Sequence, residues 1–385
     1  MEIRLGIVGM GAAARQLLPA ALKHPGVRVS AVCDPIEAVR TAAATRWNVR
    51  ATATIDELLA LADVDAVYIA TPTDLHAEHV VAAAAAGKHV LVEKPMATTL
   101  DEATRMIDAA ERAGVVLTVG HSHSFDEPYR AMREVIASGT LGRAHLLHNI
   151  YYSDWVYRPR RPEELDEKLG GGITFRQGAH QFDILRLLGG GLVRSVRAHT
   201  FDWDPQRRVI GAHTAMLTFA DGAVATAIYN GYGAFPTAEI TFGAGESGYP
   251  NDAVPGAARA AMQTATAADE AAHKRARASA PAAESLAPYQ PFFGWTLVSC
   301  ERGDIRQSAT GLYVYTAAGR EEIPLRLDRT TREPVVEEFA DAIAGVRPSR
   351  HDGRWGRANL EVCVATIESS RTGAEIALRY QVPVR

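Results

Sequence analysis

Two patterns of apolar and polar positions divide the chain. Up to about His121 short apolar runs alternate with helical stretches, and beyond it strand-like runs dominate. Ile3, Leu5, Ile7 and Val8 form a continuous apolar run, the signature of a parallel strand buried on both faces. Leu17, Leu18, Ala21 and Leu22 then recur at helical spacing, which predicts a helix to about Lys23 with these residues on its inner side. Residues 27–33 read as a second apolar strand. A helix to about Trp47 and a short helix over 54–59 capped by Thr54 follow. Further strands are expected over 65–70, 89–92 and 115–119. Between them lie an Ala-rich helix from His76 stopped by Gly87 and a helix from Thr99 stopped by Gly114. This βαβα rhythm predicts an α/β, doubly wound parallel sheet of the Rossmann kind, with ligands at the carboxyl ends of its strands.

After His121 the rhythm changes. A helix over 126–138, a strand over 144–152 and a helix over 177–188 are followed mostly by strands. These are expected over 193–203, 214–219, 224–229, 238–242, 295–300, 311–316 and 322–327. Two helices, 333–344 and 354–372, close the chain. The pattern predicts a C-terminal α+β domain with an open, largely antiparallel sheet. The domain limits read from the sequence are 1–122 and 123–385. Within the second, 245–291 is Ala-rich, carries Lys274, Arg275 and Arg277, and has few large apolar residues. It reads as an inserted surface segment, either a mostly helical excursion or a partly disordered loop.

Composition narrows the class. With 385 residues, 47% hydrophobic and 22% charged, the chain is an ordinary globular one with room for two cores. A net charge of −4 argues against nucleic acid or an anionic membrane as partner, and no apolar run is long enough to cross a bilayer. Glu2 and Arg4 lead straight into a strand, so no signal peptide is expected. Cys33, Cys300 and Cys363 are far apart in sequence, which fits a reducing cytoplasm better than a disulfide framework.

The first candidate chemistry lies between the first two strands. Gly9, Gly11 and Ala14 fit G-x-G-x-x-G/A. Gly9 allows the tight turn, Gly11 lets a pyrophosphate approach the backbone, and Ala14 lets the helix pack close to the strand. The first N–H groups of that helix and its positive dipole end face the phosphates. Asp34, closing the second strand, would accept hydrogen bonds from a ribose 2′-OH and repel a 2′-phosphate. The residues after it are Pro35 and Ile36, not Arg or Ser, which favours NAD over NADP.

Further along, GIVGMGAAA, YIATPTDLHAEHV and KHVLVEKPMA occur in the order and spacing that resemble the glucose–fructose oxidoreductase/inositol dehydrogenase (Gfo/Idh/MocA) family. GGGITFRQGAHQFDILRLLGGG is similar to the family's second-domain motif, and the C-terminal helices are similar to its ending. The resemblance implies NAD(P)-dependent redox chemistry at a ring carbinol and a homodimer or homotetramer assembled through the C-terminal sheet. By position, Lys94 matches the E-K-P lysine and His180 the second-domain histidine. Thr71, Pro72 and His76 match the loop lining the dinucleotide, and Glu93 the acid on the nicotinamide side. Two positions depart from the family. Arg176 stands where an aspartate is usual, four residues before His180, and His121-Ser-His123-Ser-Phe125 replaces an Arg-Arg-Phe pattern. FRQGAHQFDI, RPRRPEEL and PFFGWTLVSCERGDIRQS look more like the branch acting on carboxylated cis-dihydrodiols, such as phthalate 4,5-cis-dihydrodiol.

Oxidising an alcohol with NAD requires a base for the hydroxyl proton, a C–H aimed at nicotinamide C4, and stabilisation of the developing alkoxide. His180 suits the first task and Lys94 the last. Asp183, three residues after His180, either holds the imidazole or pairs with Arg186. His121 and His123 have a metal-like spacing but no nearby acidic or cysteine ligands, which favours a pocket wall, with His123 toward the substrate. Arg158, Arg160 and Arg161 in a Pro-rich loop offer anion binding, and Arg176 can clasp a carboxylate. The function expected is therefore an NAD-dependent dehydrogenase of a carboxylated cyclic dihydrodiol. The alternatives are a sugar or cyclitol dehydrogenase, an NAD-dependent glycoside-cleaving enzyme with transient oxidation, and a dinucleotide sensor, which Lys94 and His180 argue against.

Overall fold

The computed structural model describes residues 2–266, 268–270, 272–274 and 286–385. The chain forms two compact units. In the first, β1 (Ile3–Val8), β2 (Val27–Cys33), β3 (Arg50–Thr52), β4 (Ala66–Ile69), β5 (His89–Glu93) and β6 (Leu117–Gly120) pair in the order β3-β2-β1-β4-β5-β6, all parallel. Ile7, Val32, Ile69 and Val92 are fully buried, as continuous apolar runs demand. The order reverses between β1 and β4, so the carboxyl ends of these strands flank the crevice where such sheets bind ligands. β3 has no counterpart in the sequence pattern, because Arg50-Ala51-Thr52 is a short, polar edge strand.

The helix Ala12–Lys23 buries Ala14, Leu17, Leu18 and Ala21, but Leu22, expected inside, is 47% exposed. The helix Leu100–Ala113 begins on a Thr99–Glu102 capping box and ends on Gly114 at φ 66°, a left-handed stop that glycine adopts without a Cβ penalty. Arg332–Leu360 belongs to this first unit, whereas the sequence places everything after 122 in the second domain. The cause is packing. The helix Glu333–Ile343 buries Val335, Val336 and Phe339 and packs against Ala12–Lys23. Each such side chain contributes about 1.5–3 kcal/mol on burial.

Behind that helix the chain is tied to β6. Val119 donates its N–H to the His351 carbonyl at 2.8 Å. Glu338 Oε1 accepts from Ser349 Oγ at 2.8 Å and from the His351 N–H at 2.9 Å, and lies 3.1 Å from His351 Nδ1.

In the second unit β7 (Ala144–Tyr152), β8 (Val193–Phe201), β9 (Ala212–Phe219), β10 (Val224–Asn230), β11 (Trp295–Cys300), β12 (Gly303–Gln307), β13 (Gly311–Thr316), β14 (Gly319–Pro324) and β15 (Ile376–Ala377) form one open sheet. Its order is β14-β13-β12-β11-β7-β10-β9-β8-β15, and every pair is antiparallel except β7 with β10. The helix Ala179–Leu188 is buried along its whole length against β7 and β10. It starts later than expected, because Thr174–Gly178 forms a π-helical turn before it.

The strand expected over 238–242 is absent. Thr237–Ile240 is a 3₁₀ turn, and Thr237 Oγ1 takes the Tyr152 N–H at 2.6 Å, the group a neighbouring strand would have used. Of the 245–291 segment, the described residues hold the short helix Ala257–Met262 and helical turns at 268–270 and 272–274, and they add no strand to either sheet. Arg275 and Arg277 lie outside the described residues.

Burial works against the Glu338 carboxylate, and His351 and the hydrogen bonds it accepts outweigh it, holding its pKa down at about 2. A depressed carboxylate pKa gives stability that is present above the unfolded value, near 4.5, and lost as pH falls towards about 2. Glu338→Gln is therefore expected to destabilise the protein by about 1–3 kcal/mol at pH 7 and by less at pH 3, read from urea unfolding at both values. A gap that does not change with pH would contradict this account.

Candidate active site

In the first unit the candidate dinucleotide site is built at the carboxyl ends of β1, β2, β4 and β5. Gly9 has φ +87°, and a Cβ there would stand 2.9 Å from the Ala70 carbonyl oxygen, so only glycine fits the turn. Around Gly11 nothing lies within 4 Å of where a Cβ would be, which leaves the backbone open to a pyrophosphate. Ala14 is fully buried against the sheet. Asp34 Oδ2 accepts from the Met10 N–H at 3.0 Å and Oδ1 from the Ile36 N–H at 2.9 Å. The carboxylate is thus fixed beside the glycine turn, where a ribose hydroxyl belongs. These residues fit NAD.

Two loops complete this site. Pro72 leads into a 3₁₀ turn, Thr73–Leu75, and Thr71 Oγ1 lies 3.0 Å from His79 Nδ1. His76 is buried. Its Nε2 lies 3.0 Å from the Thr71 carbonyl oxygen and its Nδ1 3.0 Å from the Pro95 carbonyl oxygen, so it joins the dinucleotide loop to the loop that carries Lys94. Glu93 accepts from the Tyr68 hydroxyl at 2.6 Å and from the Lys94 N–H at 3.2 Å. Burial, then the Glu93 charge, pushes the Tyr68 phenol well above its ordinary range, so it stays a donor. Lys94 itself is half-buried. The sequence does not single out Tyr68 or His79. Their signal is a polar tip inside an apolar strand (DAVYIA) and a second histidine one turn after His76.

The candidate substrate residues other than the dinucleotide loops lie in the second unit. His180, at the start of its helix, is 4% exposed. Its ring packs edge-on against His123 at 4.6 Å and at a tilt against Phe293 at 5.0 Å, centroid to centroid. Phe293 also packs on His123 at 4.6 Å and on Tyr151 at 5.0 Å. His123 Nδ1 lies 2.9 Å from Asp126 Oδ2, both groups buried. His121 closes the first unit instead, with its ring 6.5 Å from that of His351. Asp183 is fully buried on the His180 helix, where Arg186 donates from Nε to Gln381 at 3.0 Å. Arg176 is half-buried in the π turn, one turn before His180.

The loop arginines divide. Arg158 Nε bonds Asp154 at 2.6 Å, and the Tyr151 hydroxyl donates to Glu246 at 3.4 Å. Burial opposes the Arg158 charge, but Asp154 and Glu246 outweigh it and raise its pKa. Arg160 lies 3.9 Å over the Trp155 ring, and Arg161 pairs with Glu163 at 2.9 Å. Arg207 clasps Glu270 of the inserted segment through two bonds, at 2.8 and 2.9 Å, and Lys274 pairs with Glu164 at 2.8 Å. Phe293, Tyr151, Asp154 and Glu246 escape the sequence, because they come from three separate stretches of the second unit; Asp126, three residues after His123 and bonded to it, corrects the expectation that no acidic group lies near that histidine pair.

Residues 3–121 match the profile of an oxidoreductase family with an NAD-binding Rossmann fold, and residues 129–244 match the GFO/IDH/MocA C-terminal domain. The chain belongs to the Gfo/Idh/MocA family. It is an NAD-binding oxidoreductase, as its motifs suggest. The 1-carboxy-3-chloro-3,4-dihydroxycyclohexa-1,5-diene dehydrogenase of Comamonas testosteroni is 37% identical to it over 96% of this chain and 95% of the relative. A provisionally named dehydrogenase from Bordetella bronchiseptica RB50 has a solved structure that superposes with a TM-score of 0.93, at 41% identity, covering 98% of this chain and 100% of that one. The WlbA dehydrogenase from Bordetella pertussis, solved with NADH and UDP-GlcNAcA, shares the Gfo/Idh/MocA fold at TM-score 0.72 and 21% identity, covering 98% of each chain.

Cofactor choice is expected to rest on Asp34. Asp34→Ala should weaken NAD about tenfold and narrow its advantage over NADP, since a lost charge-assisted hydrogen bond costs roughly 1.5–3 kcal/mol. Steady-state kinetics with both cofactors test this, and equal use of NADP by the unaltered protein would contradict it.

Proposed function

We propose that this oxidoreductase oxidises a carboxylated cyclic cis-dihydrodiol, a ring with adjacent hydroxyls and at least one carboxylate. The observation that carries the reading is the Comamonas testosteroni relative, similar over nearly the whole of both chains and named for a substrate of this kind. Arg176 supports it from within the chain. An aspartate at that position would accept hydrogen bonds from sugar hydroxyls, whereas a guanidinium only donates and matches a carboxylate bidentately.

In this reading bound NAD supplies the hydride acceptor at nicotinamide C4. His180 takes the proton of the reacting hydroxyl, and its packing between His123 and Phe293 leaves the imidazole little freedom to turn. Lys94 places positive charge where the oxygen becomes negative, and Glu93, held by Tyr68, steadies the strand end from which Lys94 projects. Arg176 clasps the substrate carboxylate. Asp183 lies one turn beyond His180 on the same helix, and in this reading its carboxylate holds the imidazole. The hydroxyl carbon loses a hydride, its oxygen loses a proton, and the resulting hydroxydienone regains aromaticity by tautomerising to a catechol.

The protein is further proposed to act as a homo-oligomer in a reducing cytoplasm. Leu146 and Met216 on the open sheet are 48% and 43% exposed, which suits assembly through that face, and all three cysteines are free thiols.

Lys94→Ala and His180→Ala are each expected to lower kcat by at least about a hundredfold while NAD still binds. Single-turnover kinetics beside a fluorescence titration of NADH separate the two effects, and near-normal turnover removes that residue from the mechanism. Arg176→Ala is expected to raise KM for a carboxylated dihydrodiol sharply, by about 2–5 kcal/mol of lost binding, and to change KM little for the same ring without its carboxylate. An equal change for both substrates would take Arg176 out of carboxylate recognition.

A further inference from the structure

Beneath the His180 helix runs a chain of buried side-chain hydrogen bonds that joins separate parts of the second unit. Thr174, His213, Gln181 and Asn149 are each no more than 1% exposed. Thr174 Oγ1 lies 3.2 Å from His213 Nδ1, and His213 Nε2 lies 2.9 Å from Gln181 Oε1. Gln181 Nε2 donates to Asn149 Oδ1 at 2.6 Å and approaches the Asn149 and Ile228 carbonyl oxygens at 3.1 Å. Asn149 Nδ2 donates to the Phe293 carbonyl at 2.9 Å and to Thr296 Oγ1 at 2.8 Å. The Tyr129 hydroxyl lies 3.2 Å from that same Phe293 carbonyl and 3.1 Å from the Phe293 N–H.

The directions of these bonds follow from the chemistry of the groups. Three oxygens surround Gln181 Nε2, so that end is the donor and Oε1 faces His213. A carboxamide oxygen only accepts, so His213 carries its hydrogen on Nε2. A neutral ring then offers Nδ1 as an acceptor for the Thr174 hydroxyl. Burial holds His213 neutral, with its pKa pushed down to about 3. Every link has one donor and one acceptor, and the chain runs one way from Thr174 to Phe293.

Its ends are the parts that matter for catalysis. Thr174 opens the π turn that carries Arg176, and Gln181 is the neighbour of His180. Phe293 is the ring packed on both His180 and His123. The junction between π turn and helix is Gly178, where a Cβ would stand 2.9 Å from His213 Cε1 and 3.1 Å from Phe182 Cε2. The imidazole therefore lies against the junction itself, stacked on Phe182 at 5.3 Å.

We infer that His213, as its Nε2–H tautomer, is a positioning residue of the active site: through Thr174 it sets the turn bearing Arg176, and through Gln181 the helix bearing His180. The inference rests on the reading of His180 as base and Arg176 as carboxylate clamp. A buried pair left half-satisfied has to move or admit water, and either displaces the groups at its ends.

The test compares full-length variants by kcat, KM for a carboxylated dihydrodiol, NADH affinity and thermal unfolding. His213→Phe keeps the ring stacked on Phe182 but removes both hydrogen bonds. It is expected to lower kcat about tenfold or more and raise KM about tenfold, with NADH affinity unchanged. His213→Gln restores one donor and one acceptor and is expected to recover kcat to within about threefold of the unaltered protein. Thr174→Val, which replaces only the hydroxyl with a methyl group and so removes the bond to His213, guards against a misfolded phenylalanine variant. It is expected to raise KM about threefold or more with kcat nearly unchanged, because it touches the Arg176 end of the chain. Unaltered kinetics in a folded His213→Phe and in Thr174→Val, beside an inactive His180→Ala, would overturn this inference alone. An active His180→Ala would overturn both the reading of the base and this inference.

Discussion

A polar group buried away from water has to find its partner inside the protein. The candidate residues of each unit are held by that constraint. In the first unit His76 sits between two backbone carbonyls, those of Thr71 and Pro95, and so couples the loop after β4 to the loop after β5. Glu93 is oriented by a buried tyrosine and by the next backbone N–H. In the second unit the line from Thr174 to Phe293 plays the same part. The groups assigned chemistry lie on strand ends and a helix start, and the pairs behind them keep those ends from wandering. A misplacement of about 1 Å near reacting atoms costs up to a hundredfold in rate, so such backing has a direct catalytic consequence.

Charge is distributed with equal economy. The loop 158–164 looks in sequence like a free basic patch, yet Arg160 lies on Trp155, Arg161 bonds Glu163, and the inserted segment reaches back with Glu270 and Lys274 to neighbours of the same loop. Paired this way, those charges hold the loop together and contribute little field to a ligand. Arg158 keeps company with Asp154, Glu246 and two tyrosines, an arrangement in which a substrate carboxylate would compete with two resident ones. Arg176, where the family usually has an aspartate, puts a guanidinium one turn from His180, and the proposed preference for an anionic substrate rests on that single position.

Most of the architecture is legible in the sequence because burial leaves periodic traces. Continuous runs such as residues 3–8 and 65–70 give the parallel sheet, and alternation along 224–229 helps to give the open one. Elements without that trace escape: β3 is three residues of edge strand, and β12 is a hairpin partner with Asp304 and Arg306 in it. The segment over 238–242 looks like a strand but is a turn, because a hydroxyl takes the backbone donor it would have paired with. The return of Arg332–Leu360 to the first unit is a long-range packing event that no local pattern encodes. Among the site residues, the glycine turn and E-K-P are visible because their chemistry is local. Phe293, His213 and Asn149 are not, because what they do depends on side chains brought together from β7, β9 and the stretch before β11.

The central claim is that Arg176, one turn from His180, selects a carboxylated dihydrodiol for NAD-dependent oxidation. The most direct measurement is NADH formation by the purified protein with matched ring diols, each presented with and without its carboxylate, beside neutral sugars and inositols. The account predicts a kcat/KM for the carboxylated cis-dihydrodiols that exceeds that of their uncharged counterparts by about a hundredfold or more, and little turnover of the sugars. Efficient oxidation of a neutral sugar or cyclitol, with the carboxylated diols ignored, would contradict it.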